Sequence, residues 1–147
     1  MTTTLTPKTT IDEARVEQFA GRLLTDLAGA ATIAMTAIGD RLGLYRALAG
    51  SGPQTAEQFA ADTGLEPRLL TEWLAAQTVA GYVAFDPQNG TYELPAEHAM
   101  VLSEADSPAF LVPAADLIAA QYLMLERLEL TFRTSRTRYP CNLWGCV

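Results

Sequence analysis

His98 is the only histidine of the chain, and Cys141 and Cys146 are its only cysteines. Histidine titrates near neutrality and can serve as a base. No nucleophile stands near His98 in the sequence, and a short polar segment surrounds it, so a surface or packing role is expected. The cysteines are spaced C-x4-C. Two thiolates with no further cysteine or histidine nearby do not complete a tetrahedral zinc site. They read as an incidental pair in a terminal tail, and no metal-binding residues are expected. Among the 10 glycines, only Gly50 and Gly52 form a G-x-G pair. A nucleotide-binding turn needs a strand running into the glycines so that backbone can approach phosphate or ribose closely. Here the pair ends a helical pattern instead. No catalytic and no cofactor-binding residues are therefore expected in this chain. Trp73, Tyr82, Phe85 and Tyr92 could form a stacking platform for a base. They are read more simply as the packing between a helix and a hairpin.

The elements around these residues follow from periodicity and punctuation. Val16, Phe19, Ala20, Leu23, Leu24, Leu27, Ala28 and Ala31 form a helical stripe, and Asp12 and Glu13 suit its start. A second stripe runs Ala34, Ile38, Leu42, Tyr45, Leu48 and stops at Gly50-Ser51-Gly52-Pro53. The two could be one long helix bent near Gly29. Thr55 and Gln58 form a capping box before a short helix that turns Phe59 and Ala60 inward. Gly64 turns the chain, and Pro67 opens a helix that buries Leu69, Leu70, Trp73 and Leu74. Strands at Tyr82–Phe85 and Thr91–Leu94 flank the Asn89-Gly90 turn. A short helix around Ala96–Leu102 and a last one from about Ala114 to Phe132 follow. The fold class is mainly α: a winged helix-turn-helix with N-terminal helices and one β-hairpin wing. Residues 1–10 read as a disordered tail, 11–132 as the domain with a C-terminal linker helix, and 133–147 as an atypical, disordered tail.

The chain has 147 residues, 49% of them hydrophobic and 18% charged, enough for one folded domain. No run approaches the roughly 18 apolar residues that span a bilayer, and no leader-type apolar segment opens the chain. With cysteines confined to the tail, a reducing cytoplasm is expected. The net charge of −7 opposes broad nucleic-acid binding, because phosphate contacts need a basic face. All the acidic residues lie before position 133, while the tail carries Arg133, Arg136 and Arg138. Arg68 is the DNA-contact candidate, at the start of the helix that would enter a major groove. Glu66 and Glu72 beside it would repel phosphates, and the wing tip (Asp86, Gln88, Asn89) offers no cation. DNA binding is therefore the weaker reading.

The segments GDRLGLYRAL (Gly39 to Leu48), T-x-x-x-x-A (Thr55 to Ala60), R-x-L-x-x-W-L (Arg68 to Leu74), the aromatic wing and SEADSPAFL (Ser103 to Leu111) stand in a fixed order. As an ordered set covering about residues 11–132, they resemble the N-terminal domain of actinobacterial S-adenosylmethionine-dependent methyltransferases of the small-molecule O-methyltransferase type. The resemblance implies a dimerisation domain that also helps cover the substrate. Catalysis and S-adenosylmethionine binding would belong to a following domain that this sequence does not show. The loss of family likeness after Phe132 leads us to expect a truncation, with a shifted reading frame as its origin. The implied partners are a second copy or a related methyltransferase subunit. Ile33, Met35, Ile38 and Leu42, in a segment apolar nearly all round, are the dimer-interface candidates. Two other functions stay open: a stand-alone DNA-binding regulator, and a regulatory partner of full-length methyltransferase subunits.

Overall fold

The structure, a computed structural model, describes residues 11–134. Seven helices and one hairpin follow in the order α1 (Glu13–Arg41), α2 (Leu44–Ser51), α3 (Ala56–Thr63), α4 (Pro67–Val79), β1 (Ala84–Asp86), β2 (Thr91–Glu93), α5 (Ala96–Leu102), α6 (Pro113–Leu123) and α7 (Leu125–Thr134). Of the tails expected at residues 1–10 and 133–147, Arg133 and Thr134 instead end α7; residues 1–10 and 135–147, with both cysteines, lie outside the described residues.

No break in the helix falls near Gly29. One helix of 29 residues runs unbroken from Glu13 to Arg41, capped by the Asp12 side chain on Arg15 N–H. The break comes instead at Leu42-Gly43, inside the second predicted stripe. Gly43 takes φ 70°, a left-handed conformation that side chains resist, and it starts α2 in a new direction. Periodicity missed this because Ile38, Leu42, Tyr45 and Leu48 keep helical spacing across the break. The predicted last helix is likewise two, divided at Met124.

The α3–α4 pair and the wing follow the sequence closely. Thr55 and Gln58 exchange side-chain and backbone hydrogen bonds as a capping box, and α3 ends at Gly64. Glu66 caps α4 by accepting from Leu69 N–H at 2.7 Å, ahead of Pro67. Leu70, Trp73 and Leu74 are buried, but Leu69 is exposed, because it falls on the outer side of the helix. β1 and β2 pair antiparallel with Phe85 opposite Tyr92; each is one residue shorter than predicted, β1 starting two residues later and β2 ending one earlier. Gln54 adds an isolated bridge to Tyr92, which fastens the α2–α3 connection to the wing.

The core joins Leu44, Tyr45 and Leu48 of α2, Phe59 of α3, Leu70, Trp73 and Leu74 of α4, Val83 and Leu94 beside the wing, and Leu102 of α5. Burying each large side chain stabilises the fold by roughly 1.5–3 kcal/mol. Only the C-terminal part of α1 enters this core, through Met35 and Ala37. No described helix is long and apolar enough to cross a membrane.

Candidate functional site

Three surfaces could carry function: the α4 helix with the wing, the outer face of α1, and a cavity between α1, α5 and α6. A polar cluster at the α1–α2–α4 junction sets their relative positions. The Tyr45 hydroxyl donates to Gln77 Oε1 at 2.7 Å, both side chains being buried. Burial pushes the Tyr45 phenol up from 10.0 to about 12, so it stays neutral and remains a donor. Trp73 Nε1 donates to the Met35 carbonyl at 2.9 Å and meets Tyr45 edge-on at 5.2 Å. Gly39 is where α1 passes over this pair; a Cβ there would lie 2.5 Å from the Trp73 ring and 2.8 Å from Tyr45. These groups lock the last turns of α1 onto α4.

The α4 surface has little to offer a duplex. Arg68 is exposed, but so are Glu72, the apolar Leu69 and the almost fully exposed Val79. At the wing tip, Asp86 accepts from Asn89 Nδ2 at 2.6 Å and from Gln88 N–H at 2.8 Å, which holds its carboxyl below the usual range and keeps it anionic. A groove-facing wing with a fixed carboxylate repels phosphate. The four aromatics form no common platform. Trp73 is core, Phe85 and Tyr92 pack on each other at 4.7 Å, and Tyr82 faces the cavity.

The dimer-interface candidates divide between two sides of α1. Met35 packs into the core and Ile33 lines the cavity, whereas Ile38 (41% exposed) and Leu42 (53%) face outward. Helical spacing puts Ile38 on the same face as Val16, Phe19, Leu23 and Leu27, which are all exposed. The stripe from Val16 to Leu27 is roughly 17 Å long, and its large side chains are about half exposed or more.

The cavity has a volume of about 540 Å³. Ile33 and Thr36 of α1 form one wall, the Ala80–Tyr82 turn and His98 a second, and Leu111, Ala115 and Ile118 the side toward α6. His98 Nδ1 lies 2.8 Å from the Tyr82 carbonyl, so this nitrogen carries the proton and donates. His98 thus packs against the Tyr82 turn, and its place at a cavity was not visible in the sequence. Three segments far apart in the chain make the cavity, and no local pattern announces it. Among the described residues no group of His, Cys, Asp or Glu is placed to hold a metal ion.

Residues 30–104 match the Rv2258c-like winged helix-turn-helix domain family. No curated protein sequence matches the chain. Among solved structures, the mitomycin 7-O-methyltransferase MmcR is similar, with a TM-score of 0.66 at 23% identity over 84% of this chain and 36% of its own. CalO1, a methyltransferase in calicheamicin biosynthesis, gives 0.62 at 21% identity over 94% of this chain and 39% of its own. The N,N-8-amino-8-demethyl-D-riboflavin dimethyltransferase RosA from Streptomyces davawensis gives 0.53 at 21% identity over 86% of this chain and 38% of its own. The chain thus spans well under half the length of these enzymes, and the likeness is one of fold.

Proposed function

The chain belongs to the Rv2258c-like winged helix-turn-helix family, and from that premise we propose that it acts as the dimerisation and substrate-lid module of a methyltransferase-type protein. The observation that carries this reading is the apolar outer stripe of α1. Val16, Phe19, Leu23, Leu24 and Leu27 are all exposed on one chain, over a length suited to a helix–helix interface. Ile38 and Leu42 continue the same surface toward the domain. A second copy, or the same element of a related methyltransferase subunit, covers it. The lid role is supported by the exposed apolar Leu117 and Leu123 on α6 and Phe132 on α7.

The described residues do not fit S-adenosylmethionine. Its nucleoside part calls for a strand running into a glycine-rich turn and a helix, with an acidic residue nearby for the ribose. Here the two strands form an antiparallel hairpin closed at Gly90, and no helix follows β1 directly. The described residues, 11–134, are therefore expected to bind no S-adenosylmethionine and to transfer no methyl group by themselves. Equilibrium dialysis against labelled cofactor checks this, and saturable uptake would contradict it. The location is taken to be the cytoplasm, on the cysteine usage.

The test of the module reading is the mass in solution. Light scattering on the eluting peak should give about twice the chain mass of 15.9 kDa. A monomer at tens of micromolar, with no association with a full-length methyltransferase subunit, would reject it. The DNA-regulator reading gains no support from the acidic wing and the mixed α4 surface.

A further inference from the structure

The cavity between α1, α5 and α6 is a ready-made site, and we infer that it binds a neutral, mainly apolar small molecule through His98. Its volume of about 540 Å³ falls within the range of roughly 300–1,000 Å³ typical of small-molecule pockets. Its walls are tied to one another by contacts beside the cavity and within its lining. Arg41 Nε binds Asp116 at 2.7 Å and joins α1 to α6. Leu111 and Val112 N–H groups donate to the Val101 carbonyl at 3.0 and 3.4 Å, which pins the segment entering α6 against α5. The site therefore needs little rearrangement to accept a ligand.

The lining sets the class of ligand. Lysine, arginine, aspartate and glutamate are all missing from it, so a charged ligand would be desolvated without a counter-charge. Ile33, Leu111 and Ile118 supply apolar area. His98 supplies the directional group. Because Nδ1–H is engaged by the Tyr82 carbonyl, the neutral ring keeps Nε2 as an acceptor. Nε2 has no hydrogen-bond partner among the described residues. The matching ligand is a flat or alicyclic apolar molecule that carries one hydroxyl or N–H donor. This binding needs neither a second copy nor another domain, so its failure leaves the dimerisation reading standing.

The test uses three probes of one shape on the full chain, followed by 15N–1H NMR: 2-naphthol, naphthalene and 2-naphthoate. Saturable 2-naphthol binding is expected, with shifts at Tyr82, His98 and Ala115. Its affinity should exceed that of naphthalene by about fivefold, the usual net worth of one hydrogen bond, and that of 2-naphthoate by about tenfold or more. His98→Phe should erase the preference for 2-naphthol over naphthalene, and Ile118→Trp, which fills the cavity, should abolish binding while the melting curve stays cooperative. Shifts confined to residues 16–27, no saturable binding up to millimolar 2-naphthol, or equal affinity for all three probes on the wild-type chain would each overturn the assignment.

Discussion

Residues 35–39 and residues 16–27 belong to one unbroken helix, yet they meet opposite conditions. The first group is held by Trp73 and Tyr45, with the indole N–H on the Met35 carbonyl and no room for a side chain at Gly39. The second has the stronger apolar periodicity and stays largely exposed; Phe19 is 68% exposed. Apolar spacing thus marks an apolar surface but does not say what packs on it. The covered half is specified by close approach and hydrogen bonding, and the uncovered half by its stripe.

Substitutions should separate the two halves in kind as well as in size. Trp73→Ala removes the ring that Met35 and Tyr45 pack against and should lower unfolding stability by about 3–5 kcal/mol in denaturant titrations. A loss under about 1 kcal/mol would mean that the α1–α4 junction is not the anchor described here. Gly39→Ala places a methyl group 2.5 Å from the indole, and the overpacking should cost about 1–3 kcal/mol, although alanine is the better helix former. Tyr45→Phe leaves Gln77 Oε1 buried without its donor, at about 1–3 kcal/mol.

Tyr45 also gives the covered half a pH signature. Its folded pKa lies above the unfolded value of 10.0, so its contribution is fully present below about pH 10 and is lost as pH rises toward 12. That alkaline loss should be smaller in Tyr45→Phe. In the uncovered half, Phe19→Ala should change the stability of the dilute monomer by no more than about 0.5 kcal/mol while weakening association. Smallest is Asp86 at the wing, an exposed carboxyl with a lowered pKa. Its contribution is present above the ordinary carboxylate range and fades as pH falls through its lowered folded value. Comparison of acid unfolding in Asp86→Ala and wild type checks the sign.

The parts legible in the sequence are those fixed by local chemistry. The Thr55–Gln58 capping box, the Gly64 turn, Pro67 at the head of α4 and the Asn89-Gly90 turn each act within a few residues, and each marks an observed element. The breaks at Gly43 and Met124 were hidden because apolar spacing continues through them. The exposure of Leu69 was missed because the apolar run of α4 is wider than the face it buries. The Gln54–Tyr92 bridge and the cavity depend on residues tens of positions apart, which local patterns do not pair. Of the four interface candidates, spacing alone could not tell that Ile33 and Met35 turn toward the domain while Ile38 and Leu42 turn away.

The central claim is that the outer stripe of α1 is an interface. The direct measurement is sedimentation equilibrium on the wild-type chain and on a Phe19→Glu/Leu23→Glu variant, with circular dichroism on both. The account predicts a dimer for the wild type and a folded monomer for the variant, its helix content unchanged apart from fraying of residues 13–28. A variant that associates as tightly as the wild type would contradict it.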